Sequence, residues 1–172
     1  MGNIPSDKRV FMFLQGPHGP FFNLLAKMLT HANAEIWRVG FNAHDRVFWS
    51  RQNRYCAYRE TVSDWPDAFA RLVREKSVTD LVLYGDIRPV HALAIQGARQ
   101  FNLQVHVFEE GYLRPYWVTY ERDGSNGHSK LMAMQLSDMS EALKTGSLDE
   151  PAAPAHWGEM RHHMFYGALY HF

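Results

Sequence analysis

The sequence predicts an α/β fold, a Rossmann-like parallel sheet with flanking helices, and three observations predict it. Short apolar runs of strand type alternate with amphipathic helical stretches along most of the chain. The first run, VFMFLQ at Val10 to Gln15, is almost wholly apolar, as a strand buried on both faces must be. Three unusual loops, GPHGP, GDIRPVH and EEGYLRP, each follow a strand directly, at the carboxyl edge where open parallel sheets bind ligands.

Taken in order, the first strand stops at Gly16-Pro17, and FFNLLAKMLTHAN then places Phe22, Leu25, Met28 and Leu29 at helical spacing. Pro20 suits the start of that helix and Asn33 its end. EIWRVGF, Glu35 to Phe41, is β-rich, so the first forty residues form a β-α-β unit with a right-handed crossover. Asn42 to Tyr58 lacks a clean period and is expected to hold a loop and a short edge strand near Arg54 to Arg59. SDWPDAFARLVREKS carries Trp65, Phe69, Leu72 and Val73 on one helical face, with Ser63 or Asp64 as its cap. DLVLY at Asp80 to Tyr84 is a strand, Pro89 to Phe101 a helix, and Leu103 to Phe108 a further strand. Beyond Asn126 the pattern weakens: Ser137 to Lys144 forms a short helix, TGSLDEPAAPA reads as a linker, and His156 to Phe172 resumes an aromatic helical pattern. The expected organisation is a Rossmann-like domain over residues 1–136, then a linker and C-terminal helical segment over 137–172.

Composition narrows the function. At 172 residues the chain suits one domain with a substantial core. Lys plus Arg equals Asp plus Glu at 18 each, so no global charge draws it to nucleic acid, and any anion binding must be local. A single cysteine, Cys56, excludes an internal disulfide, and MGNIPSDKRV has no secretory pattern, so a cytoplasmic setting is expected. Ten histidines invite a metal, yet neither H-E-x-x-H nor paired cysteines occur, and neither metal nor cofactor is expected.

The loops carry the chemistry. QGPHGPFF sets Gly16 and Gly19 between a strand and a helix start, where free amides favour an anion. Its two prolines remove donors, so it is neither a Walker loop nor G-x-G-x-x-G, and it reads equally as a tight turn or as a substrate loop with His18 donating. YGDIRPVHALA sets the carboxylate of Asp86 near Arg88 and His91. They form either a helix cap with its ion pair, or an acid/base or nucleophilic carboxylate beside groups that hold an acidic substrate. In FEEGYLRP, Glu109 and Glu110 must point to opposite faces of a regular strand, so only one of them can share a pocket with Asp86. Arg114 offers a fork for a carboxylate or phosphate. Two carboxyls from neighbouring loops are what glycosyl transfer needs, one at the anomeric carbon and one managing the proton. FNAHDRVFW would suit either a sugar-binding wall or a packed loop, and ERDGSNGHS reads first as a turn.

Together the strings FLQGPHGPFFNLLAKML, VGFNAHDRVFW, YGDIRPVHALA and VFEEGYLRPYWVTYERDGSNGHS, in this order from Phe13 to Ser129, resemble the bacterial capsule polysaccharide synthesis and export proteins of the KpsS and KpsC type. The resemblance implies a retaining β-Kdo transferase that moves Kdo from CMP-Kdo to a lipid or Kdo-lipid acceptor. The fold it implies is of GT-B type, two Rossmann-like halves facing a cleft. It assigns Asp86 as nucleophile, with Glu109 or Glu110 in the acid/base role. It places Arg88, His91, Tyr112, Arg114 and Glu121 against the substrate, and the substrate-loop reading of QGPHGPFF adds Gly16, His18 and Gly19. Since Kdo carries a carboxylate of its own, Arg88, His91 and Arg114 would supply compensating charge. Family members are much longer, and nothing after Asn126 resembles a second Rossmann-like half. The expectation is therefore an N-terminal half, as in a truncated product, completed by another chain and peripheral to the inner membrane. The alternative is a non-catalytic binding or assembly module of the capsule synthesis and export machinery.

Overall fold

The computed structural model describes residues 8–111, 117–146 and 160–171. Six strands form one sheet: β1 (Val10–Phe13), β2 (Glu35–Gly40), β3 (Tyr55–Ala57), β4 (Asp80–Tyr84), β5 (Gln104–Glu110) and β6 (Val118–Arg122), in the spatial order β3-β2-β1-β4-β5-β6. The first five are parallel, and β6 runs antiparallel to β5. The helices are α1 (Phe21–His31), α2 (His44–Val47), α3 (Trp65–Lys76), α4 (Pro89–Gln100), α5 (Leu136–Thr145) and α6 (Met160–His171). Strand order reverses between β1 and β4, which makes the loops after these two strands the topological switch point of a Rossmann-like sheet.

Alternation along β1 sorts the core. Phe11 and Phe13 face one side, where Phe22 and Ala26 of α1 join Ile36, Trp49 and Val82. Val10, Met12 and Leu14 face the other, packed with Trp65, Phe69 and Val73 of α3 and Ala94 and Ala98 of α4. Trp65 Nε1 donates to the Val90 carbonyl at 2.8 Å, which fixes α3 against α4. Proline stands at the start of both helices, where its missing N–H costs nothing. α3 ends at Ser77 in the left-handed conformation, φ 52°.

Three features differ from the sequence expectation. β6 was not expected, because the alternation in WVTYER is hidden between a Gly-Pro-containing loop and a turn. β5 runs on to Glu110, two residues past the expected end, because pairing of Glu109 with Thr119 and Glu110 with Val118 extends the ladder. The cap expected from Ser63 or Asp64 makes no side-chain bond to α3; the Asp64 carboxylate accepts from Thr61 Oγ1 instead, at 2.5 Å. FNAHDRVFW is a packed loop rather than an open wall. Asp45 and Trp49 are buried there, and Asp45 accepts from Arg38 Nη2 at 3.0 Å and from the Phe41 amide at 2.9 Å.

Toward the amino ends of the strands, Asp80 is buried to 1% exposure and fully engaged. It accepts from His106 Nε2 at 2.7 Å, from Thr79 Oγ1 at 2.7 Å and from the Arg9 guanidinium. Burial alone would raise its pKa, but these hydrogen bonds outweigh it and hold the carboxyl at about 2. A depressed carboxyl contributes stability that is complete above the unfolded value and is lost as pH falls through the folded one. Urea titrations should therefore show a stability loss of roughly 2 kcal/mol as pH falls from 3.8 to about 2. That acid-dependent component should be missing in Asp80→Asn.

Candidate functional site

At the carboxyl edge, the sequence from Asp123 to Ser129 folds into a tight turn because Asp123 (φ 75°) and Asn126 (φ 49°) adopt left-handed conformations that these residue types tolerate. The turn gathers three of the expected acidic residues. Ser125 donates its amide to Asp86 Oδ2 at 2.9 Å, and His128 Nδ1 meets the same oxygen at 3.0 Å. Asn126 Nδ2 reaches Glu109 Oε2 at 3.4 Å. Ser129 Oγ donates to Glu121 Oε2 at 2.6 Å. Register explains the grouping: Val107 opposes Glu121 and Glu109 opposes Thr119, so Glu109 and Glu121 emerge on one face.

Asp86 is 4% exposed, and both of its hydrogen bonds with described residues fall on Oδ2. It does not cap α4, whose N-cap is Arg88, and it makes no ion pair with Arg88. The side chain that meets it is the exposed imidazole of His128. Gly85, with φ 73°, brings β4 close to β5. A Cβ there would lie 3.3 Å from Glu109 Oε2, so the backbone before Asp86 lies against the Glu109 side chain. Glu110 faces the other way and is exposed.

His91 corrects an expectation. It is fully buried in the first turn of α4, where Nδ1 lies 2.7 Å from the Gly85 carbonyl. Burial pushes the imidazole down to about 4, against the raising effect of that carbonyl and with the Arg88 charge lowering it further. A neutral ring beside a carbonyl must donate from Nδ1, leaving Nε2 as an acceptor, and Nε2 has no partner among the described residues. His91 therefore holds the Gly85 turn and offers no positive charge to a substrate carboxylate.

In the loop after β1, Gly16 is buried against Phe22, and Gly19, with φ 101°, lies under Tyr166 of α6. His18 is half-buried in the same loop. Tyr112 and Arg114 lie outside the described residues. Two surface cavities, of about 240 and 380 Å³, flank Arg9 at the amino edge and hold none of the expected site residues. Among the described residues no three His, Cys, Asp or Glu side chains are arranged for a metal ion, and no helix is long and apolar enough to cross a membrane. Sequence reasoning missed Ser125, Asn126, His128 and Ser129. Their signal was the Asn/Gly/Ser-rich run, which reads as an ordinary turn until its partners are known.

The sheet order and the acidic cluster beside the switch point define the class: a Rossmann-like α/β protein with a carboxylate site at the carboxyl edge. Residues 79–155 match the family model of capsule polysaccharide biosynthesis proteins. The chain is 37% identical over 121 residues to the capsule polysaccharide export protein KpsS of Escherichia coli, covering 70% of this chain and 31% of that protein. It is 32% identical over 130 residues to the capsule polysaccharide modification protein LipB of Neisseria meningitidis serogroup A, covering 75% and 31% respectively. This chain belongs to the capsule polysaccharide synthesis and export family. The match spans about a third of the length of these relatives. Among solved structures, MurG of Acinetobacter baumannii aligns with TM-score 0.46 and 16% identity over 63% of this chain and 37% of its own. The UDP-GlcNAc 2-epimerase of Methanocaldococcus jannaschii aligns with TM-score 0.47 and 14% identity over 63% and 33%. Neither likeness is strong enough to carry an argument.

Two substitutions probe the site's construction. Gly85→Ala forces an L residue to positive φ beside Glu109, and urea unfolding should show a loss of about 1–2 kcal/mol. His91 has a depressed folded pKa, so its contribution is complete above 6.5 and is lost as pH falls to about 4. Over that window stability should fall by up to roughly 3 kcal/mol, and the slope should be absent in His91→Gln.

Proposed function

We propose that the chain carries the acceptor-side Rossmann-like half of a capsule glycosyltransferase, moving Kdo from CMP-Kdo to a lipid or Kdo-lipid acceptor. The observation that carries this reading is the placement of Asp86 and Glu109 on neighbouring strand ends under one turn, beside the switch point. Capsule polysaccharide relatives supply the substrate class. In this reading Asp86 Oδ1, which takes no bond from a described residue, attacks the anomeric carbon, and Glu109 manages the proton. Arg88 offsets the Kdo carboxylate, with His91 serving only to hold the Gly85 turn. Attack requires the Ser125–His128 turn to swing off Asp86.

The burial of Asp86 favours a second reading, a binding or assembly module in which the carboxylate only anchors the turn. One assay separates them. With CMP-Kdo, a lipid acceptor and a chain supplying the remainder of a relative, the first reading expects transfer that falls at least about 1,000-fold in Asp86→Asn and about 100-fold in Glu109→Gln. Transfer that survives Asp86→Asn contradicts the nucleophile assignment. Absence of any transfer together with retained partner binding in Asp86→Asn supports the module.

A further inference from the structure

On the face of β5 and β6 opposite to Glu109 and Glu121, three side chains form a chain of hydrogen bonds that the proposed transfer does not use. Tyr120 Oη lies 2.8 Å from His106 Nδ1, and His106 Nε2 lies 2.7 Å from Asp80 Oδ1. The carboxylate fixes the tautomer: Nε2 carries the proton and donates to Asp80, so Nδ1 is an acceptor and the phenol donates to it. Asp80 is in turn held by Thr79 and by Arg9, whose charge also lies close to the phenol. Asp80 and His106 are buried, while Tyr120 is 47% exposed. A phenol on a half-exposed residue, a base in contact with it, and a buried carboxylate orienting that base are the parts of an activated nucleophile.

We propose that Tyr120 is a nucleophilic phenol that takes an activated acyl group, with His106 as its base and Asp80 orienting the imidazole. In the transfer step Tyr120 Oη forms a bond to the acyl carbon as its proton passes to His106 Nδ1. The bond from the acyl carbon to its carrier breaks, and the carrier leaves with the proton that His106 returns. No oxidant or metal is required. The same three residues also pin β6, which has little core of its own, so the test must separate reactivity from support.

The probe is N-acetylimidazole, limiting, applied to the intact chain, with O-acetyltyrosine mapped by peptide mass spectrometry. Tyr120 should be acetylated at least about 10-fold faster than the half-exposed Tyr55, Tyr84 and Tyr166. His106→Gln should erase that preference while hydrogen exchange across Val118–Arg122 stays unchanged. Should that variant fray the strand, the pH profile of the unsubstituted chain decides. Ordinary phenols react about tenfold faster per pH unit up to ~10. Tyr120, whose base is supplied by the protein, should instead follow a shallower profile than theirs, in a setting formed by Asp80 from β4, Tyr120 and its neighbour Arg122 from β6, and Arg9 ahead of β1. A rate equal to the other tyrosines, or a profile parallel to theirs, overturns the proposal.

Discussion

A carboxylate removed from water must be met by donors, and in this molecule the buried Asp86 meets them in a turn that lies 39 residues further along the chain. That contact closes the carboxyl edge of the sheet. Through it the loop after β4 is tied to the segment after β6, and the neighbouring residues of the turn take hold of Glu109 and Glu121 in the same movement. The turn arrives in the right place only because β6 pairs with β5 in a register that sets Glu121 opposite Val107. A slip of one residue would carry Glu121 to the other face and dissolve the cluster. The hydrogen-bonded series from Tyr120 through His106 to Asp80 is one of the few features that resist such a slip, since β6 is exposed along most of its length.

Much of this was readable from residues. The parallel strands announced themselves as apolar runs ended by glycine or proline, and the amphipathic spacing of Trp65, Phe69 and Val73 fixed the face of α3. The opposite orientation of Glu109 and Glu110 followed from strand geometry alone. What could not be read was pairing at a distance. Nothing local distinguishes Ser125, Asn126 and His128 from other turn residues; their meaning lies in the strands they reach. The charge of His91 was equally invisible, because it depends on burial, and burial depends on how α4 settles against the sheet. Which of the two readings of FNAHDRVFW would hold was hidden for a related reason, and the packed loop is the one formed. Arg38, from β2, reaches Asp45 and turns a polar loop into interior.

Electrostatics divides the molecule. The Arg38–Asp45 pair and the neutral imidazole of His91 are buried, and the charges of the pair cancel each other. At the carboxyl edge, by contrast, acidic groups predominate, and the imidazole of His128 that meets Asp86 stands at the surface.

The aromatic ring of Tyr166 lies over Gly19 and meets Phe48 edge-on at 5.3 Å. The last helix is thereby a tenant of the same threshold that the glycine loop guards. A molecule placed against the Gly19 turn would have to stack on that ring or displace it. The far end of the chain thus holds a say in what the front of the chain can admit.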